Sequence, residues 1–291
     1  MEERFAIVNK PSVFMFDREF TNREDELLHG WAVKILGEYN KHCHVVTHYG
    51  YEGYLDASVL SSVSRSEIND RIIGDDLMVI ANSFADILSM PKVQGRILIT
   101  LPRGAYVVKT GEQKDGYQHI CTTDGKHHGF VRCCSLSRRL DNDEFLLNNS
   151  FDFNSQALLN QEESLLREQI CTNALGYLGA PYCWGGKTPK GIDCSGLMFM
   201  SYMLAGILIF RNSQNNSSYP VKPIRRELLK KADLIYWEGH VGMYMGNDLF
   251  IHSTGNSKDF KCVISSLLPS DPNYRSDLAE SIIGYGSIFK A

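Results

Sequence analysis

GIDCSGLMFMSYML, residues 191–204, sets one cysteine between an aspartate and a small pair, directly ahead of an apolar run. The run from Leu197 to Leu204 has no glycine or proline and predicts a buried helix opening at Asp193-Cys194-Ser195, with Met198, Met200 and Met203 in its core. Aspartate is a good N-cap. A thiol on a first helical turn meets the positive end of the dipole. With an imidazolium nearby, that lowers its pKa from about 8.5 to roughly 3.5–7.5. Cys194 is thus the candidate nucleophile among eight cysteines, provided a histidine reaches it.

Two of the nine histidines border apolar runs downstream: His240 in WEGHVGMYMG and His252 in DLFIHSTG. Gly246-Asn247-Asp248 between them is good turn chemistry, so HVGMYMG and LFIHST predict a hairpin. That hairpin sets the two histidines near opposite positions, offset by a couple of residues. One would face Cys194 as base and the other would orient it.

Around this centre, the leucines, Ile170 and Ala174 from Leu158 to Leu178 predict a helix capped by Ser155 and ended by Gly176 and Gly179. After Pro223 come strands: ADLIYW, HVGMYMG, DLFIHST, KCVISSL and SIIGYGSIF. Helices first and antiparallel strands after is an α+β order. The N-terminal half repeats itself: aligning Gly30 with Gly104 brings Val33 onto Val107, Gly37 onto Gly111 and Gly53 onto Gly129. Each copy reads as short strands with glycine-bearing turns, and copies of roughly 60 residues with that rhythm suit small β-barrels. SSVSRSEINDR between the copies and LSRRLDNDEFLLNNSFDFNS after them read as polar linkers.

Composition excludes several classes. The 291 residues exceed one small core, 43% hydrophobic and 22% charged describe a globular chain, and a net charge of −4 offers no basic footprint for nucleic acid. No stretch has the eighteen or so apolar residues that span a bilayer, and MEERFAIVNKPSVFMF lacks the regions of a secretory signal. The expectation is a cytoplasmic protein with reduced thiols. His42, Cys43, His44 and His48 fit the alternation of a strand better than a metal set, and there is no C-x-x-C pair. No cofactor or metal is expected.

PYCWGGKTPKGIDCSGL, ADLIYWEGHVGMYMGNDLFIH and the spacing between them resemble the NlpC superfamily of papain-like cysteine peptidases, from roughly Gln161 onward. The two repeats resemble bacterial SH3-like domains with a G-Y-x-G-Y/W/F-V element. The whole chain is similar to the YkfC-type γ-D-glutamyl-L-diamino acid endopeptidases. That resemblance implies SH3-like β-barrels over 1–64 and 75–140 and an α+β papain-like catalytic domain over 155–291. It implies cleavage of L-Ala-γ-D-Glu-diamino acid peptides. Broader peptidoglycan hydrolysis, amidase activity or a non-catalytic wall-binding module are the alternatives.

It implies Cys194 as nucleophile, His240 as base, His252 as orienting residue, and Tyr182 with the Cys194 N–H as oxyanion donors. A pocket for the free amine of L-alanine would draw on Asp193, Ser195, Ser213, Glu26 and Tyr51, with Tyr49 and Tyr54 as competitors, and Trp184 would face substrate. Departures from the family pattern are Asn212 and Asn216, Ala232 for the usual glycine, and Cys183 in the variable slot of P-Y-x-W.

Overall fold

A computed structural model describes residues 3–148, 150–156 and 162–289. The chain forms two compact units, Met1–Phe151 and Asp152–Ala291.

In the first unit the repeat appears as two antiparallel seven-stranded sheets. The first holds β1 (Arg4–Val8), β2 (Ser12–Phe16), β3 (Arg23–Leu28), β4 (Ala32–Tyr39), β5 (His42–Thr47), β6 (Glu52–Asp56) and β7 (Leu60–Val63). Helix α1 (Arg65–Ile73) follows. The second holds β8 (Leu77–Ile80), β9 (Phe84–Leu88), β10 (Ile97–Pro102), β11 (Tyr106–Lys114), β12 (Tyr117–Thr122), β13 (His128–Arg132) and β14 (Leu136–Arg138). Both have one strand order, β3-β2-β6-β5-β4-β1-β7 and β10-β9-β13-β12-β11-β8-β14.

The aligned glycines do matching work. Gly30 and Gly104 both turn through the left-handed region, at φ +79° and +87°. A Cβ on Gly53 would stand 2.6 Å from Met15, and one on Gly129 2.6 Å from the Leu88 carbonyl. Closure into barrels by strand pairing is not made: each order ends in two different edge strands among the described residues.

The two expected linkers are structured instead. Ser64 and Glu67 form a reciprocal capping box that starts α1, and Ile68 packs with Phe5, Ile7, Ala32 and Leu146. Leu146 belongs to α2 (Glu144–Leu147). Just before it, buried Arg139 pairs with Asp141 at 3.0 Å and Asp143 at 2.9 Å, and Arg71 reaches Asp143 at 2.7 Å. A charge run that reads as solvated is buried because its charges neutralise one another.

In the second unit the expected Leu158–Leu178 helix is shorter. α3 spans Glu163–Leu175 and ends at Gly176; Ser155 closes a 3₁₀ turn rather than capping it, and Leu158 and Leu159 lie outside the described residues. Leu165 and Leu178 face out, while Leu166, Arg167, Ile170, Cys171 and Ala174 face in. A small ladder of β15 (Lys187–Thr188) and β16 (Gly191–Ile192) leads to α4 (Cys194–Met203), buried along its whole length. The final sheet is antiparallel, in the order β17 (Lys222–Ile224), β22 (Gly284–Ser287), β18 (Leu234–Trp237), β19 (His240–Gly246), β20 (Leu249–Ser253), β21 (Cys262–Ser266). Helix α5 (Ser276–Ala279) precedes β22.

Asp233 ties α3 to this sheet, accepting from Arg167 at 2.8 Å and Ser287 at 2.6 Å. Its neighbour Ala232 has φ +66°, which crowds its Cβ. Ala232→Gly is therefore expected to raise stability by about 0.5–1 kcal/mol, the relieved strain exceeding the extra freedom of the unfolded glycine. Denaturant unfolding reads this; a loss of stability would show the position to be unstrained.

Candidate active site

Asp193 caps α4, accepting from the Gly196 N–H at 2.6 Å, and so places Cys194 on the first turn. Its other oxygen accepts from the Gly185 N–H at 2.7 Å, which draws the PYCWGG loop onto the helix start. Arg211 brackets the same carboxylate, at 3.1 Å to each oxygen, and donates to Ser195 Oγ at 2.8 Å. Asp193, Ser195 and Arg211 are all buried. The Asp193 carboxylate is thus held by a cation of the chain itself.

The hairpin forms with the expected turn: Asn247 and Asp248 have φ +53° and +56°, and Met243 pairs with Ile251. Register puts His240 and His252 on one face as a diagonal pair. His240 Nε2 lies 2.8 Å from His252 Nδ1, and His252 Nε2 lies 3.0 Å from Ser265 Oγ on β21. A single set of tautomers satisfies this chain with a lone pair left on His240. His240 donates from Nε2, His252 accepts at Nδ1 and donates from Nε2 to Ser265, and His240 Nδ1 is left unprotonated. The N–H groups of Val241 and Ser195 are directed at the Cys194 thiol, so the residue after His240 touches the sulfur.

Tyr182 packs its ring against Phe260, with centroids 5.7 Å apart, and Cys194 and Asp193 bear on its hydroxyl. Trp184 is 62% exposed. Ser213 lines a cleft of ≈ 410 Å³ with Trp237, Glu238 and Gly239, beside His240. In the first unit Glu26 is buried on β3. Of the three candidate tyrosines, Tyr49 is buried and donates to Asp25, Tyr54 stacks on His44 at 4.6 Å, and Tyr51 is half-buried and donates to Glu24 at 3.2 Å. All eight cysteines are free thiols.

Residues 179–269, which carry Cys194, His240 and His252, match the NlpC/P60 family. Over 269 residues the chain is 33% identical to a Lysinibacillus sphaericus protein called dipeptidyl-peptidase 6, spanning 91% of this chain and 92% of the relative. The chain belongs to the NlpC/P60 family. Its fold is shared with a Bacillus cereus NlpC/P60 family protein, at TM-score 0.73 and 18% identity over 97% of this chain and 98% of that one. A shorter match, 31% over 111 residues, joins it to the gamma-D-glutamyl-L-lysine dipeptidyl-peptidase of Bacillus subtilis, across 35% of this chain and 37% of that protein. NlpC/P60 membership supports a cysteine peptidase. Among the described residues no helix is long and apolar enough to cross a membrane.

The charge state of this NlpC/P60 site differs from the sequence expectation of a thiolate. Burial, with Asp193 beside it, pushes the Cys194 thiol up to about 11. Burial, with the Arg275 guanidinium nearby, pushes His240 down to about 4, and His252 is lowered well below its ordinary value. With burial raising the thiol and lowering the imidazole, the resting pair at neutral pH is thiol and neutral imidazole.

The acid limb of kcat/KM is then expected near pH 4 rather than near 6.5, activity falling as His240 takes up a proton. Stability follows the same sign. Between pH 6.5 and about 4 the unfolded imidazole binds a proton that the folded one does not. About 3 kcal/mol present above pH 6.5 is lost across that window. Denaturant unfolding of the chain at pH 7 and 4.5 reads it; equal stabilities would place His240 in solvent.

Arg211 and Ser265 escaped the sequence reading. Arg211 carries a weak signal, a lone cation ending the apolar run ILIF. Ser265 joins the His252 face only once β20 and β21 are in register, His252 opposite Val263.

Proposed function

We propose that this chain is a cysteine endopeptidase that cuts the γ-D-glutamyl–L-diamino acid bond of cell-wall peptides with a free N-terminal L-alanine. The observation that carries the proposal is the chain of bonds His240–His252–Ser265 beside a cysteine capped by Asp193. The names of its relatives, dipeptidyl-peptidase 6 and gamma-D-glutamyl-L-lysine dipeptidyl-peptidase, support the choice of bond. In this reading the first unit is a pair of SH3-like domains over 1–64 and 75–140, with the peptidase over 155–291.

The thiol and imidazole start neutral, so proton transfer accompanies attack. Cys194 Sγ bonds to the γ-carbonyl carbon of D-glutamate while its proton passes to His240 Nδ1. His252 keeps that ring in the required tautomer and shares the resulting charge. The carbonyl oxygen becomes an oxyanion that accepts from the Cys194 N–H and the Tyr182 hydroxyl; burial, with the Asp193 carboxylate nearby, raises the Tyr182 pKa and keeps that hydroxyl protonated as a donor. His240 then gives its proton to the leaving amine of the diamino acid. Water, activated by the same nitrogen, hydrolyses the thioester.

Asp193, Ser195, Ser213, Glu26, Tyr51 and Trp184 are assigned to substrate binding. Because Arg211 neutralises Asp193, that carboxylate has less charge to offer a free amine than the sequence suggests.

The test incubates the protein with L-Ala-γ-D-Glu-L-Lys and its N-acetylated form, beside Cys194→Ala. Release of lysine from the free peptide by the unaltered chain alone is expected. Equal cleavage of both peptides overturns the amine requirement, and cleavage of neither overturns the activity.

A further inference from the structure

The cleft beside His240 has walls of a particular chemistry. Trp237, Tyr236, Tyr285 and Ile283 supply apolar surface; among the described residues, Glu238 supplies the one carboxylate and no lysine or arginine lines the cleft. Glu238 is exposed to the cleft and makes no hydrogen bond or ion pair among the described residues. Gly239 precedes His240 in the chain, and the Trp237 ring lies 5.5 Å from the His240 ring. Trp237 is itself fixed, its indole N–H donating to the Leu278 carbonyl at 2.6 Å.

Proton bookkeeping places the substrate. The group that protonates the leaving amine must lie against it, so the diamino acid sits on the His240 side of Cys194. Its side chain would then run into this cleft, which Gly239 joins to His240, and Ser213 in its wall would meet the diamino acid rather than the L-alanine amine.

We infer that this cleft receives the side chain of the diamino acid and that Glu238 selects one ending in a bare ammonium, as in lysine or ornithine, over one carrying a second carboxylate, as in diaminopimelate. The inference rests on the endopeptidase reading above. An unbranched four-carbon stem matches the aromatic and aliphatic walls, and an ammonium completes the Glu238 carboxylate with a charge-assisted bond. A second carboxylate would meet Glu238 with no cation in the walls to hold it, so discrimination comes as much from repulsion as from attraction.

Release of the C-terminal residue is measured for L-Ala-γ-D-Glu linked to L-lysine, to Nε-acetyl-lysine and to meso-diaminopimelate, with the unaltered chain, Glu238→Gln and Glu238→Lys. The lysine peptide should be cut best, at about tenfold higher kcat/KM than either other peptide. Glu238→Gln should erase most of that margin by raising KM for the lysine peptide, with the acetylated peptide unmoved. Glu238→Lys should reverse the order in favour of diaminopimelate. The free L-alanine amine is present in all three peptides, so a loss that Glu238→Gln shares equally among them assigns Glu238 to that amine and overturns the inference. Equal cleavage of the lysine and diaminopimelate peptides by the unaltered chain also overturns it and leaves the endopeptidase reading standing. Cleavage of none of the three overturns that reading, and the inference with it.

Discussion

Replacing His240 by alanine is expected to lower kcat/KM for L-Ala-γ-D-Glu-L-Lys by about 10⁴-fold, with the unfolding midpoint within a few degrees of the unaltered chain. The size of the effect follows from the neutral resting pair. A thiolate formed in advance would keep some reactivity without its base. A thiol held up at about 11 by burial has almost none at neutral pH. His252→Ala should cost about a hundredfold, since it removes the partner that keeps the proton on His240 Nε2 but leaves the base in place. Ser265→Ala should cost less again and shift the acid limb of the pH profile, because it acts on His240 only through His252. Retention of a tenth or more of the activity in His240→Ala would remove that residue from the reaction.

Arg211→Met is expected to destabilise the chain by about 3–5 kcal/mol, the cost of stranding a buried carboxylate. Asp193 and Arg211 leave only 9% and 2% of their side chains exposed, and two of the pair's bonds are charge-assisted contacts at 3.1 Å. Adding Asp193→Asn should restore part of the loss, because the amide still caps the Gly196 N–H without a charge to neutralise. Chemical denaturation of the single and double variants checks this. Additive losses would mean that the two side chains do not act as a pair. Activity should fall in both variants, since the same carboxylate sets the start of the helix that carries Cys194.

Local chemistry makes much of the second unit legible. An aspartate before an apolar run writes α4, and Gly246-Asn247-Asp248 between two apolar strands writes the β19–β20 hairpin. Because the hairpin turn fixes register, the His240–His252 contact follows from the local sequence. The repeated glycines of the first unit are legible for a similar reason: a left-handed turn or a close backbone approach admits little else. The capping box Ser64-Arg65-Ser66-Glu67 is equally local, but its polar surroundings read as a linker.

What the sequence by itself determined is the placement of Cys194 and of the two histidines, since each depends on caps and turns within a few residues. Tertiary structure alone decided the rest: Arg211 on Asp193 across 18 positions, Ser265 behind His252 across 13, and the walls around Glu238. It also decided the charge state. Burial depends on everything packed around a group, and here it raises the Cys194 thiol, where the sequence alone points to a lowered one.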